Sequence, residues 1–151
     1  YNLTTSFDIS TVNYAGNAER FYVGNEEAAP LGMAFNHDGT KMYIIGMSGD
    51  EVNEYSLTTA FDISTASFTQ LFSVVAQEKS PTGMAFNNDG TKMYVVGNTG
   101  KDVNEYVLST GFDVSTAAYS QVFSVIYQES SPSGIVFNDE NQDVCNWVQW
   151  R

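Results

Sequence analysis

One stretch of this chain occurs twice in full and begins a third time. Pro30-Leu31-Gly32-Met33-Ala34-Phe35-Asn36-His37-Asp38-Gly39-Thr40-Lys41-Met42-Tyr43-Ile44-Ile45-Gly46 returns as Pro81-Thr82-Gly83-Met84-Ala85-Phe86-Asn87-Asn88-Asp89-Gly90-Thr91-Lys92-Met93-Tyr94-Val95-Val96-Gly97. It starts again as Pro132-Ser133-Gly134-Ile135-Val136-Phe137-Asn138. The spacing is 51 residues each time, and residues 30–80 align with 81–131 without a gap, identical at 32 of 51 positions. A fixed period of this length constrains the fold more than composition does. Each copy is one supersecondary unit that has to stack on its neighbours to bury its faces.

Within residues 81–131 four strand signals alternate with turn chemistry, predicted at 83–87, 92–97, 102–108 and 118–126. Asp89-Gly90 between apolar runs predicts a tight primed hairpin, because such a turn needs positive φ. The run from Lys92 to Gly97 is nearly all apolar, as in a strand covered on both faces. The last strand alternates Tyr119, Gln121, Phe123 and Val125 with smaller or polar neighbours, so one of its faces is expected to be more exposed. Helical periodicity is absent. Four antiparallel strands per 51 residues predict an all-β chain made of β-propeller blades, in preference to a β-solenoid with its shorter coil.

The motif Pro-x-Gly-Met-Ala-Phe-Asn-x-Asp-Gly-Thr-Lys-Met-Tyr resembles the blade start of lactonase-like and YVTN-type β-propellers. Those blades share a Pro-x-Gly first strand, an Asn-Asp-Gly hairpin and a Tyr-Val second strand. The resemblance covers essentially the whole chain. It carries no lactonase catalytic residue onto a matching position.

By blade position, residues 1–29 supply a third and a fourth strand, 30–80 and 81–131 are whole blades, and 132–151 begin another. That is about three blades, below the roughly four that close a propeller. Closing three would need a wedge of roughly 120°, more than side chains filling a sheet spacing of about 10 Å can bridge. The expectation is therefore an open or partial propeller cut from a longer protein, or one completed by other copies or missing blades. Apolar surface around Met33, Phe35, Met84 and Phe86 would drive such association.

The tail departs from the repeat. After Asn138 it reads Asp139-Glu140-Asn141-Gln142-Asp143-Val144-Cys145-Asn146-Trp147-Val148-Gln149-Trp150-Arg151, which holds both tryptophans and the single cysteine. Reading the codons from Asn141 one base later permits Thr-Lys-Met-Tyr-Val-Ile-Gly-x-Ser-Gly. That string agrees with one or other copy of the repeat at nine of ten positions. The expectation is an out-of-frame remnant of another blade start, leaving Cys145, Trp147 and Trp150 without a function.

Net charge is −12, from 18 acidic and 6 basic residues, which opposes binding to nucleic acid or anionic lipid. No apolar run approaches the roughly 20 residues of a membrane span, so no membrane insertion is expected. One cysteine and one histidine, His37, leave no Cys/His metal set. His37 is a hairpin residue that the next copy replaces with Asn88, and it is given no catalytic role. The Phe-Asp-Ile/Val-Ser-Thr segments at Phe7, Phe61 and Phe112 recur in every blade, which predicts a structural turn. Tyr43, Tyr55, Tyr94 and Tyr106 are expected to pack with bonded hydroxyls.

Residues that differ between copies are freer to carry function, and they cluster in the loops after each second strand and in the blade-to-blade connections. Glu27, Asp50, Glu51, Glu78, Asn98, Lys101, Asp102 and Glu129 are the candidate ligand-binding residues on that face, where Glu27, Asp50, Glu78, Asp102 and Glu129 are expected to ring a channel mouth and take a cation or a polar sugar. No catalytic residue and no cofactor are expected; the acidic balance alone would speak for a divalent cation such as calcium. Three functions compete. The first is a non-catalytic binding or adhesion module of a larger acidic extracellular or cell-surface protein, with a glycan or protein ligand. The second is a lactonase-like metal-dependent hydrolase, and the third a structural repeat of a fibre or surface layer. For the tail, resequencing the coding DNA past codon 138 should restore the repeat frame; an uninterrupted frame ending in a natural stop would reject the remnant.

Overall fold

The two full repeats fold into two nearly identical sheets. A computed structural model describes residues 1–5, 8–14, 16 and 20–137; the expectation for residues 139–151 lies outside them. Strands β3 (Pro30–Phe35), β4 (Lys41–Gly46), β5 (Glu51–Leu57) and β6 (Ala66–Ser73) form one antiparallel sheet in chain order. Strands β7 (Pro81–Phe86), β8 (Lys92–Gly97), β9 (Asp102–Leu108) and β10 (Ala117–Ser124) form the second in the same way. A short pair, β1 (Asn2–Leu3) and β2 (Val12–Asn13), precedes them. The fold is all-β, an incomplete set of propeller blades, and among the described residues only short 3₁₀ turns accompany the strands.

The first hairpin differs from the expected tight primed turn. Within these two hairpins only Gly39 and Gly90 have positive φ, at 72° and 70°, whereas the type I′ turn that Asp-Gly favours needs two such residues. Gly39 N–H donates to the Asn36 carbonyl at 3.2 Å, giving a longer loop built on an ordinary turn. Side chains close it. Asp38 Oδ1 accepts from the Thr40 amide at 3.0 Å and its hydroxyl at 2.6 Å, and Asn36 Oδ1 accepts from the Lys41 amide at 2.9 Å. The second copy repeats these bonds through Asp89, Thr91, Asn87 and Lys92. The fourth strand also stops earlier than expected, at Ser124. Val125 turns inward there, donating to the Lys101 carbonyl at 3.0 Å and accepting from Gln128 and Glu129 amides at 2.8 Å.

The core lies between the sheets. Tyr43, Ile45 and Val52 of the first sheet pack on Met84, Met93, Val95, Tyr106 and Leu108 of the second. Burial of each such aliphatic side chain contributes about 1.5–3 kcal/mol. The Phe86 ring lies tilted against Tyr43 and Phe112, with centroids 4.6 Å and 5.4 Å away. Met84 and Phe86 thus meet the first sheet, whereas they were expected to be exposed blade surface. The equivalent Met33 is 57% exposed against 5% for Met84, because no described strand covers that part of the first sheet. Phe35 is half-buried beside Phe61, at 5.5 Å. Elsewhere on that face, Phe21 and Val23 cover Met42, Ile44, Tyr55 and Leu57.

The Phe-Asp-Ile/Val-Ser-Thr segments are the structural turns expected. Asp113 Oδ1 accepts from the Ser115 amide at 3.1 Å and hydroxyl at 2.6 Å, which starts the 3₁₀ turn Val114–Thr116. Phe112 adopts φ 60° and lays its ring against Gly90, in the space a Cβ there would fill. Gly90 is therefore required twice, for its left-handed φ and for the ring beside it. Gly90→Ala should lower stability by at least about 2 kcal/mol. Urea unfolding checks this as a lower midpoint at unchanged slope.

Candidate ligand-binding loop face

The loops that follow each second strand meet the connections between blades at one end of the sheets. The connection at 23–29 makes a short turn in which Val23 O accepts from Glu26 N at 3.1 Å and Glu27 N at 2.9 Å. That turn drives the Glu27 side chain inward, where it is fully buried. Its Oε1 accepts from Ala29 N at 2.7 Å and Ser48 N at 3.0 Å, and its Oε2 from Gly49 N at 3.2 Å. Glu78 repeats the arrangement, accepting from Ser80 N at 2.7 Å, Thr99 N at 3.1 Å and Gly100 N at 2.9 Å. A buried carboxylate facing three amides is well compensated, since charge-assisted bonds replace its lost hydration. Gly46 and Gly97 make the room, because a Cβ on either would meet the glutamate's carboxyl carbon.

This revises the expected ring of acids for two members. Glu27 and Glu78 spend their oxygens on backbone amides and build the loops. Glu129, at the equivalent position of the third connection, is half-buried and accepts from Ser131 N at 2.8 Å. The remaining candidates sit on the loops so anchored. Asp50 and Lys101 occupy the same loop position with φ of 52° and 53°, a left-handed conformation that non-glycine residues adopt at a cost. Asn98 is exposed, while Glu51, Lys101 and Asp102 are half-buried. Burial pushes the Glu51 and Asp102 carboxyls above their ordinary values; Glu27 adds to this at Glu51 and Glu78 at Asp102.

The two loops differ below the surface. Asn104 Nδ2 donates to Asp102 Oδ1 at 2.7 Å. Its counterpart Asn53 is fully buried with both amide atoms unpartnered, and Asp50 Oδ1 is also buried without a partner. The expected tyrosine packing is observed where hydroxyl bonds are defined. Tyr55 donates to Glu26 Oε2 at 3.4 Å and Tyr106 to Gln77 Oε1 at 3.3 Å; Tyr43 donates to the Phe112 carbonyl at 2.6 Å. Burial raises all three hydroxyl pKa values, so each holds its proton to donate.

One residue of this face escaped the sequence reading. Tyr127, where the other connections carry Asn25 and Ala76, is 95% exposed. Its connection is tied to the neighbouring loop at both ends, by Val125 N to the Lys101 carbonyl at 3.0 Å and by Ser131 Oγ to Asn98 Oδ1 at 3.1 Å. An aromatic replacing a small or polar residue between copies was the available signal. Among the described residues, no group of three or more His, Cys, Asp or Glu side chains is placed to hold a metal ion.

No protein-family model matches the sequence, and no curated protein matches it. Solved structures do. A 6-phosphogluconolactonase-like protein of Bacteroides fragilis superposes with a TM-score of 0.55 at 14% identity, over 72% of this chain and 29% of its own. One of Bacteroides uniformis gives 0.55 at 14%, over 73% and 30%. Hydrazine synthase of Kuenenia stuttgartiensis gives 0.51 at 22%, over 71% and 25%. This chain spans less than a third of each. At such identities the likeness is one of fold, the lactonase-like propeller type.

Glu78→Gln should cost about 2–4 kcal/mol, since an amide nitrogen replaces one acceptor facing three N–H donors. Hydrogen exchange should accelerate at Thr99 and Gly100 while protection in β8 and β9 is kept.

Proposed function

We propose that this chain is a non-catalytic binding module of a larger acidic, extracellular or cell-surface propeller protein of YVTN type. Its loop face takes a neutral glycan. The observation that carries this reading is the division of labour among the loop residues. Buried Glu27 and Glu78 hold equivalent loops rigid through identical bonds, so the residues displayed on them are free to differ. On the second loop these are Asn98, Lys101 and Asp102, and the connection bonded to that loop through Val125 and Ser131 carries the exposed Tyr127.

That combination suits a sugar. The C–H face of a pyranose covers an aromatic ring, whose burial is favourable, while carboxylate, amide and ammonium groups bond the ring hydroxyls. A net charge of −12 disfavours sulfated or phosphorylated glycans, which narrows the class to neutral ones. The propeller neighbours agree with a fold able to present such a face; their activity is not carried over.

An array of neutral and anionic oligosaccharides probed with the full chain tests the proposal. Binding to a neutral member is expected, weakened about tenfold (roughly 1.4 kcal/mol) by Tyr127→Ala. Turnover of a sugar lactone that Asp102→Asn abolishes would overturn it in favour of a hydrolase.

A further inference from the structure

The contact between the two full sheets shows what a filled blade joint requires. Glu54 Oε2 accepts from the Val114 amide at 3.1 Å and from Gln70 Nε2 at 2.9 Å, and Gln70 Nε2 also donates to Asp113 Oδ1 at 2.8 Å. Lys41 Nζ pairs with Glu54 at 2.8 Å and donates to the Phe112 carbonyl at 2.8 Å. Val114 is fully buried among the core side chains, against which Phe72 also packs. The joint is thus a socket of Lys41, Glu54 and Gln70, filled by a turn with Asp and then Val.

Fifty-one residues on, the same socket recurs as Lys92, Glu105 and Gln121, with Phe123 in the place of Phe72. Among the described residues nothing fills it. Lys92 Nζ stands 3.5 Å from Glu105, and the two side chains are 44% and 12% exposed, against 31% and 2% for Lys41 and Glu54. Gln121 Nε2 reaches Glu105 Oε2 at 3.2 Å. Phe123 is 69% exposed.

The chain also carries an unused turn of the matching kind. Asp8 Oδ1 accepts from the Ser10 amide at 3.0 Å and hydroxyl at 2.6 Å, the arrangement of Asp113 and Ser115. Ile9, the counterpart of Val114, is 83% exposed where Val114 is buried. It is an apolar residue at the tip of a formed turn.

We propose that the turn at residues 8–11 of a second copy of this chain fills the Lys92–Glu105–Gln121 socket. The Ile9 amide donates to Glu105, Gln121 donates to Asp8, and the Ile9 side chain covers Phe123. Lys92 faces the Asp8 carboxylate with opposite charge. The blade this turn would join is already begun: residues 132–137 lie on the second sheet as β7 lies on the first. Thr82 Oγ1 donates to the Pro132 carbonyl at 2.7 Å, and the Phe137 ring lies tilted against Tyr94 at 4.6 Å, matching Phe86 on Tyr43. The second copy's β1 and β2 would be the outer strands of that blade.

Within one copy the chain leads away from the socket. Phe21 and Val23, which follow β2 in the sequence, pack on the far side of the first sheet, away from the second. Two copies exchanging turns make two equivalent joints about a twofold axis, which closes the assembly. This joint does not depend on the ligand proposed above.

Sedimentation velocity of the full chain across a concentration series tests it. A dimer is expected, and both Ile9→Asp and Gln121→Ala should halve the mass while far-UV circular dichroism stays that of the folded sheet. Ile9 is outside the core and Gln121 is exposed on an edge strand, so neither change should prevent folding. A wild-type monomer at every concentration, an assembly larger than a dimer, or a dimer that survives Ile9→Asp would each overturn the proposal.

Discussion

Each four-stranded sheet is apolar on both faces, so neither face can be satisfied from within the blade. Everything else in the structure follows from how those faces are covered. Tyr43, Ile45 and Val52 project one way from the first sheet and Met42, Ile44, Tyr55 and Leu57 the other. The second sheet covers the former set, and its own Met84, Met93 and Val95 are buried in the exchange. Where no described strand lies alongside, the same side chain is exposed, as Met33 shows against Met84. Blade identity and blade environment are separable here because the sequence repeats while the surroundings do not.

Polar groups set the register of that stacking. Apolar faces alone would tolerate sliding, since their attraction is non-directional. Lys41, Glu54 and Gln70 reach across to a single turn and accept only one placement of Asp113 and Val114. Close approach at the inner strands adds a steric limit: a Cβ on Gly83 would lie 2.8 Å from the Gly134 Cα and 3.3 Å from the Ser133 carbonyl oxygen. Glycine after Pro-x is thus what lets successive first strands come together.

At the loop face the same economy of repetition frees certain positions. Glu27 and Glu78 perform identical work, three amide bonds each, and are consequently invariant between copies. The loops they hold keep their backbone shape, down to the left-handed Asp50 and Lys101, while side chains change from acid to base. A constant frame with variable display is how propeller-type folds host unrelated functions.

The period of 51 residues, the four strands per copy and the structural nature of the Phe-Asp turn were all legible in the sequence. They depend on local patterning and on chemistry within a few residues, as with Asp113 and Ser115 or Asp38 and Thr40. The two hairpins were located by Asp38-Gly39 and Asp89-Gly90, but their form was not. The Asn36 and Asn87 side chains take over a bond that a tight turn would leave to the backbone. The candidate face was picked by comparing copies, yet Glu27 and Glu78 were read as ligand-binding acids at a channel mouth. Only folding brings the β4–β5 and β8–β9 loop amides, 21 and 22 positions further along the chain, against those carboxylates. Tertiary structure likewise decided which apolar positions are core. Burial of Met84 and exposure of Met33 depend on what stacks beside each sheet, which the residues of one blade do not encode.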